Sequence, residues 1–120
     1  MVITAGPIVD DPTPPIARDW VGDECLLLPI DFDFYVQPSV AGAADLFVTD
    51  DVDQFEYYRT QGHFTGWPRP PSTVGQALER GDEGELVVAC NLGVGALDAA
   101  FGQAVLEAAR RSGVGMPLER

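Results

Sequence analysis

Short apolar runs at residues 1–5, 25–30, 46–49 and 85–91, set apart by loop and helical patterns, constrain the fold of this chain more than any other feature. Each is bounded by Gly, Pro or Asp and is too short for a core helix, so each reads as a buried strand. They recur at intervals of about 20 residues with helical or loop crossovers between them, the pattern of parallel βα units. The first run has no cap, loop or helix before it, so the chain begins as if in mid-fold.

The intervening segments carry helix signals. Residues 16–20 suit one helical turn, and residues 39–44 a short helix of small residues. Asp50 or Asp51 caps a helix running to about Gln61, with Val52, Phe55 and Tyr58 on one face and Gly62 as its stop. Residues 63–71 form a Pro-rich loop, the place where the chain would leave one packing unit for another. Ser72 is the expected cap of a helix over 73–80 that stops at Gly81. Over residues 96–111, Leu97, Ala100, Phe101, Ala104, Val105 and Ala108 form an i, i+3, i+4 stripe, with Gly113 as the stop. The expected fold is α/β and partly Rossmann-like: a short, mostly parallel sheet with flanking helices and a long C-terminal amphipathic helix, in one unit over residues 1–120.

Composition narrows the partners. A chain of 120 residues with 46% apolar content can bury a real core. Seven basic residues against nineteen acidic ones give a net charge of -12, which repels phosphate backbones and anionic lipid. Nucleic acid and membrane surfaces are therefore excluded as partners. A dinucleotide is not excluded, because backbone N–H groups and helix N-termini hold such ligands locally. No run approaches the roughly 20 apolar residues of a membrane span and no signal-peptide pattern opens the chain, so the reading is cytoplasmic. Cys25 and Cys90 each lie in an apolar strand run without a suitable partner or electropositive neighbour, so both are expected as reduced core thiols.

Chemistry concentrates at strand ends. In Asn91-Leu92-Gly93-Val94-Gly95-Ala96-Leu97-Asp98 a strand enters and the long helix leaves, so the turn can floor a site or serve only the strand-to-helix geometry. Asp31 and Asp33 follow the second strand; on extended backbone both carboxylates would project from one face, or both would merely cap a turn. Asp98 suits the positive end of the last helix dipole. His63 is the single histidine, and one histidine defines neither a metal site nor a triad, so no metal is expected. Tyr57, Tyr58 and Trp67 are expected as core or interface aromatics.

Taken together, Leu28-Pro29-Ile30-Asp31-Phe32-Asp33, Ala44-Asp45-Leu46-Phe47-Val48-Thr49-Asp50-Asp51 and the Asn91 turn resemble the C-terminal part of the ornithine cyclodeaminase and mu-crystallin family. The resemblance implies the later strands of an NAD(P)-binding Rossmann domain plus a returning C-terminal helix. It implies an acid/base role for Asp31, with Asp33 as the competing assignment because the alignment can slip by two. Thr4 and Asn91 would contact NAD or NADP, and Leu92 and Gly93 would line the pocket of an amino-acid-like substrate. The family's Gly-rich fingerprint and its substrate-gripping Lys and Arg have no counterpart here, and Gly93-Val94-Gly95 lacks the third glycine. The expected function is thus the C-terminal portion of an NAD(P)-dependent cyclodeaminase or amino-acid dehydrogenase, not catalytic alone. The alternative is a non-catalytic, mu-crystallin-like module that binds a ligand, forms a homo-oligomer or pairs with a separate N-terminal half.

Overall fold

The computed structural model describes residues 1–7, 9, 13–116 and 118. Five strands, β1 (Val2–Thr4), β2 (Cys25–Pro29), β3 (Leu46–Thr49), β4 (Ser72–Thr73) and β5 (Leu86–Cys90), form one sheet in the order β1-β2-β5-β3-β4. Every neighbouring pair is parallel, as the spaced apolar runs require. The helices among the described residues are α1 (Pro38–Gly42), α2 (Val52–Thr60), α3 (Val74–Arg80) and α4 (Gly95–Ser112), with a 3₁₀ turn at Arg18–Trp20. Because β5 is inserted between β2 and β3, its carboxyl end is flanked by theirs: Thr49 pairs with Cys90, and the Asn91 N–H reaches the Pro29 carbonyl at 3.2 Å.

Strand alternation sorts the side chains into two layers. On one face Leu27, Phe47, Leu86, Val88 and Cys90 meet Phe55 of α2 and Phe64 and Trp67 of the following loop. The Phe55 and Phe64 rings stack with centroids 4.3 Å apart, and Phe47 meets Phe55 edge-on at 5.8 Å. Each fully buried ring contributes about 1.5–3 kcal/mol. On the other face Val48 and Ala89 pack under Ala77 of α3. That cover reaches Leu28 of β2 but not β1 or the start of β2: Ile3 is 53% exposed and Leu26 37%, although parallel sheets are ordinarily covered on both faces.

Several expectations are corrected. The loop over 63–71 does not lead out of the core, since Phe64 and Trp67 are buried in its main cluster. Thr73, not Ser72, caps α3: its hydroxyl accepts the Gln76 N–H while the Gln76 side chain accepts the Thr73 N–H. Ser72 is used instead in β4, a two-residue strand too short for any periodicity to reveal. Ile16 is not helical but forms a parallel bridge with Val36, and the turn begins at Arg18. Asp51 is the cap of α2, accepting the Gln54 N–H at 2.9 Å.

The last helix runs 18 residues and ends at Gly113, which takes the left-handed conformation at φ 63°. Every residue in it is exposed except Ala109, which is half-buried. The stripe predicted from its spacing exists, with no layer of the described residues beneath it.

Candidate site at the carboxyl edge of the sheet

All of the residues implicated by sequence lie at or just beyond the carboxyl ends of β1, β2 and β5. Parallel α/β sheets hold ligands outside this edge. Two carboxylates organise it, and each does so by accepting hydrogen bonds from another element.

Asp31, buried at 4% exposure, faces β1. Its Oδ1 accepts the Thr4 hydroxyl at 2.7 Å and its Oδ2 accepts the Gly6 N–H at 2.9 Å. The side chain thus ties the end of β2 to the end of β1, and the Ile30 N–H adds a bond to the Thr4 carbonyl at 3.0 Å. Asp33 does not share that face. Phe32 adopts the left-handed conformation at φ 62°, which reverses the chain between the two aspartates. Asp33 Oδ2 instead accepts the Phe64 N–H at 2.6 Å, and its Oδ1 lies 3.4 Å from His63 Nδ1. The expectation of paired carboxylates rested on extended backbone, and the left-handed residue removes it.

The second carboxylate, Asp50, went unremarked in sequence beyond its value as a cap. Its Oδ1 accepts the Leu92 N–H at 3.0 Å and its Oδ2 the Gly93 N–H at 2.7 Å. Gln54 Nε2 donates to the Gly93 carbonyl at 3.3 Å. The turn after β5 is therefore clamped by the residue after β3, its neighbour in the sheet. Gly93 has φ 86°, and a Cβ built on it would meet nothing within 4 Å. The glycine is needed for its backbone conformation, and the space before it is open.

That space is a cleft of about 620 Å³ between the start of α3 and the start of α4, lined by Asp50, Thr73, Leu78, Asn91, Gly93 and Leu97 among others. Neither Asp31 nor Thr4 lines it. Asn91 follows Cys90, whose side chain belongs to the aromatic-rich core, so alternation turns Asn91 to the α3 side. The predicted site residues thus adjoin along one edge but serve different surfaces: Asn91 and Gly93 line the cleft, Leu92 packs against the core, and Asp31 is bonded to Thr4.

Cys90 lies beneath this edge as a buried free thiol; Cys25, also buried and free, opens β2 at the opposite end of the sheet. Burial pushes the Cys90 thiol far up from its ordinary range, and the carboxylates of Asp50, Asp33 and Asp31 add to the shift. It is thereby held neutral and unreactive. Among the described residues no group of three or more His, Cys, Asp or Glu side chains is placed to hold a metal ion, and no helix is long and apolar enough to cross a membrane.

The order of strands, the all-parallel pairing and the clefted carboxyl edge define a Rossmann-like α/β protein. Among solved structures it is similar to the crystal structure of CmnK, with a TM-score of 0.69 and 20% sequence identity over 92% of this chain. At that identity the likeness shows the fold alone. The chain covers 36% of CmnK. No family model and no curated protein matches the chain.

Proposed function

We propose that the carboxyl edge is the nicotinamide-side half of an NAD- or NADP-dependent site of the ornithine cyclodeaminase type, in a unit that is not catalytic alone. The observation that carries this reading is the Asp50 clamp, which sets the turn so that Asn91 and the open side of Gly93 border the cleft. A cleft of about 620 Å³ accommodates a nicotinamide ring and a small amino acid beside it. Asn91 has both a donor and an acceptor to offer a carboxamide, and Gly93 leaves room for close approach. When bound, the cofactor supplies hydride transfer. The resemblance gives proton transfer at the substrate amine to Asp31, or to Asp33 in its place, but neither lines this cleft and both Asp31 oxygens are held by Thr4 and Gly6, which accords with a unit that binds without turning over alone.

The test is a titration of the ¹⁵N-labelled chain with NAD⁺ and NADP⁺. Binding is expected on the order of millimolar, because no glycine-rich turn holds the pyrophosphate. Shifts should centre on the Asn91 side-chain amide and the Gly93 N–H, with Thr4 following. Saturating ligand that leaves Asn91 and Gly93 undisturbed removes the proposal.

A second reading, a mu-crystallin-like module that binds a ligand or assembles without catalysis, is favoured by one observation: the apolar stripe of α4 stands bare.

A further inference from the structure

The cleft walls carry a charge pattern that Asn91 and Gly93 leave unexplained. Asp50 borders the cleft from the end of β3 and Asp98 from the first turn of α4, and no Arg side chain is among the residues lining it. Asp51 and Asp53 border an adjoining hollow that shares Asp50 and Thr73 with the cleft. None of these four carboxylates takes part in an ion pair among the described residues, where Arg18, Arg59, Arg69 and Arg80 are matched to Asp23, Glu56 and Asp82. Arg110 and Arg111 lie in the last turn of α4, roughly 18 Å along the helix from Asp98 and beyond the screening length of about 8 Å at physiological salt.

Helix N-termini work in the opposite direction, because α3 and α4 both begin at this cleft. Each N-terminus carries roughly half a positive charge, and α3, with seven residues, carries less. Together they supply at most about one positive charge against two carboxylates. The Asp50 charge is shared with the four N–H and O–H groups that bond it, but neutral dipoles do not cancel it. The cleft therefore keeps a local surplus of about one negative charge before Asp51 and Asp53 are counted.

We infer, on the reading of the cleft as a nicotinamide site, that its carboxylates select the oxidised ring, a pyridinium cation, over the reduced ring, which is neutral and of nearly the same shape. Asp98 sets the preference. Asp50 is committed as the clamp on the Leu92 and Gly93 amides, whereas Asp98 stands exposed on the α4 wall, where its side chain can turn toward a ring seated against Asn91 and Gly93. Leu78 and Leu97, also on the cleft wall, offer either form of the ring the same apolar contact and so do not discriminate. Because the site is open to water, the attraction lies near the solvent end of the dielectric range, and a surplus of one charge at contact distance changes affinity on the order of three- to tenfold. A preference of about fivefold lowers the two-electron potential of the bound ring by about 20 mV, so these carboxylates favour the cofactor as a reductant.

The experiment compares NAD⁺ with NADH on the ¹⁵N-labelled full chain, with dissociation constants read from the Asn91 side-chain amide and the Gly93 N–H. NAD⁺ is expected to bind about fivefold tighter, and the phosphate-free pair of 1-methylnicotinamide and nicotinamide should follow the same order, cation before neutral ring. Asp98→Asn keeps the size of the side chain and should weaken NAD⁺ about threefold while leaving NADH within about 1.5-fold. Glu107→Gln removes the same charge from an exposed position further along α4 and should leave the preference unchanged. That contrast separates a local selection from the pull of the net charge of -12, which either variant reduces equally. Equal affinities for NAD⁺ and NADH, an Asp98→Asn variant that keeps the full preference, or a Glu107→Gln variant that loses as much of it would each overturn the inference. In those cases both cofactors still shift Asn91 and Gly93, so the nicotinamide reading stands; failure of both to shift them removes the reading and the preference together.

Discussion

Replacing Asp50 by Ala removes the acceptor of four hydrogen bonds: from the Thr49 hydroxyl at 3.3 Å and from the N–H groups of Asp51 at 3.1 Å, Leu92 at 3.0 Å and Gly93 at 2.7 Å. The four losses are not equal. Gly93 is exposed and Asp51 half-buried, so water replaces much of what they lose. Thr49 is fully buried and Leu92 half-buried, and a buried donor left without a partner costs about 1–3 kcal/mol. With Thr49 held only by a long bond and Leu92 partly wet, each contributes near the lower end, and the sum is about 2–3 kcal/mol. For a chain of this size that lowers Tm by about 10 °C. Urea unfolding followed by circular dichroism should show a lower midpoint with unchanged slope, and amide exchange should accelerate at Leu92 and Gly93 before it does elsewhere in β5. Asp50→Asn, which keeps one carbonyl oxygen, should lose about half as much. An Asp50→Ala variant within about 0.5 kcal/mol of the parent, or one destabilised without faster exchange at those two amides, would refute the clamp.

Three further perturbations test other parts of the structure. Thr4→Val removes the hydroxyl bonded to the buried Asp31 carboxylate and should cost about 2 kcal/mol by calorimetry, with Thr4→Ser recovering most of it. Gly84→Ala places a Cβ 2.9 Å from the Asp45 Cβ and 3.3 Å from the Leu46 nitrogen, so about 1–3 kcal/mol should be lost, while Gly22→Ala, with open space around it, should be near neutral. Cys90 stays protonated in the folded chain while the unfolded thiol ionises above its ordinary value of 9.0. Its contribution to stability is therefore complete below that pH and falls above it, by at most about 1.4 kcal/mol per pH unit. Cys90→Ala should flatten the alkaline limb of the stability curve relative to the parent, and an unchanged slope would show that the thiol is not so shielded.

The parallel sheet was legible because its strands are apolar runs long enough to register, and β3 was readable to the residue. Helix ends were legible where glycine takes a left-handed stop, at Gly81 and Gly113. What could not be read was long-range. β4 is two residues whose strand character comes wholly from pairing with Val48 and Thr49. Phe32, a bulky residue in the left-handed region, carries no local signal for that conformation, yet it decides that Asp31 and Asp33 part company. Asp50 looked like a helix cap, and only the insertion of β5 beside β3 brings it to the Leu92 and Gly93 amides, 42 and 43 positions further along the chain.

The acidic charge of the chain acquires a structural meaning at this edge. Asp31, Asp33 and Asp50 each accept an N–H from a different segment here, Gly6, Phe64, and Leu92 with Gly93, and Asp45 does the same for Leu86 at the amino end of the sheet. Strands of two to five residues leave long connections between them, and these carboxylates fasten the connections through charge-assisted bonds that neutral side chains would make more weakly. The arrangement also limits what can bind. An anion at the end of a parallel strand is usually met by free backbone amides. Here the Leu92 and Gly93 amides are already taken by Asp50, whose own charge stands in the way of a phosphate. What remains open at the cleft is the Asn91 carboxamide and the bare side of Gly93, a surface better matched to an uncharged amide than to a pyrophosphate. A dinucleotide seated there would therefore present its nicotinamide end to this turn and leave its phosphates to be held elsewhere.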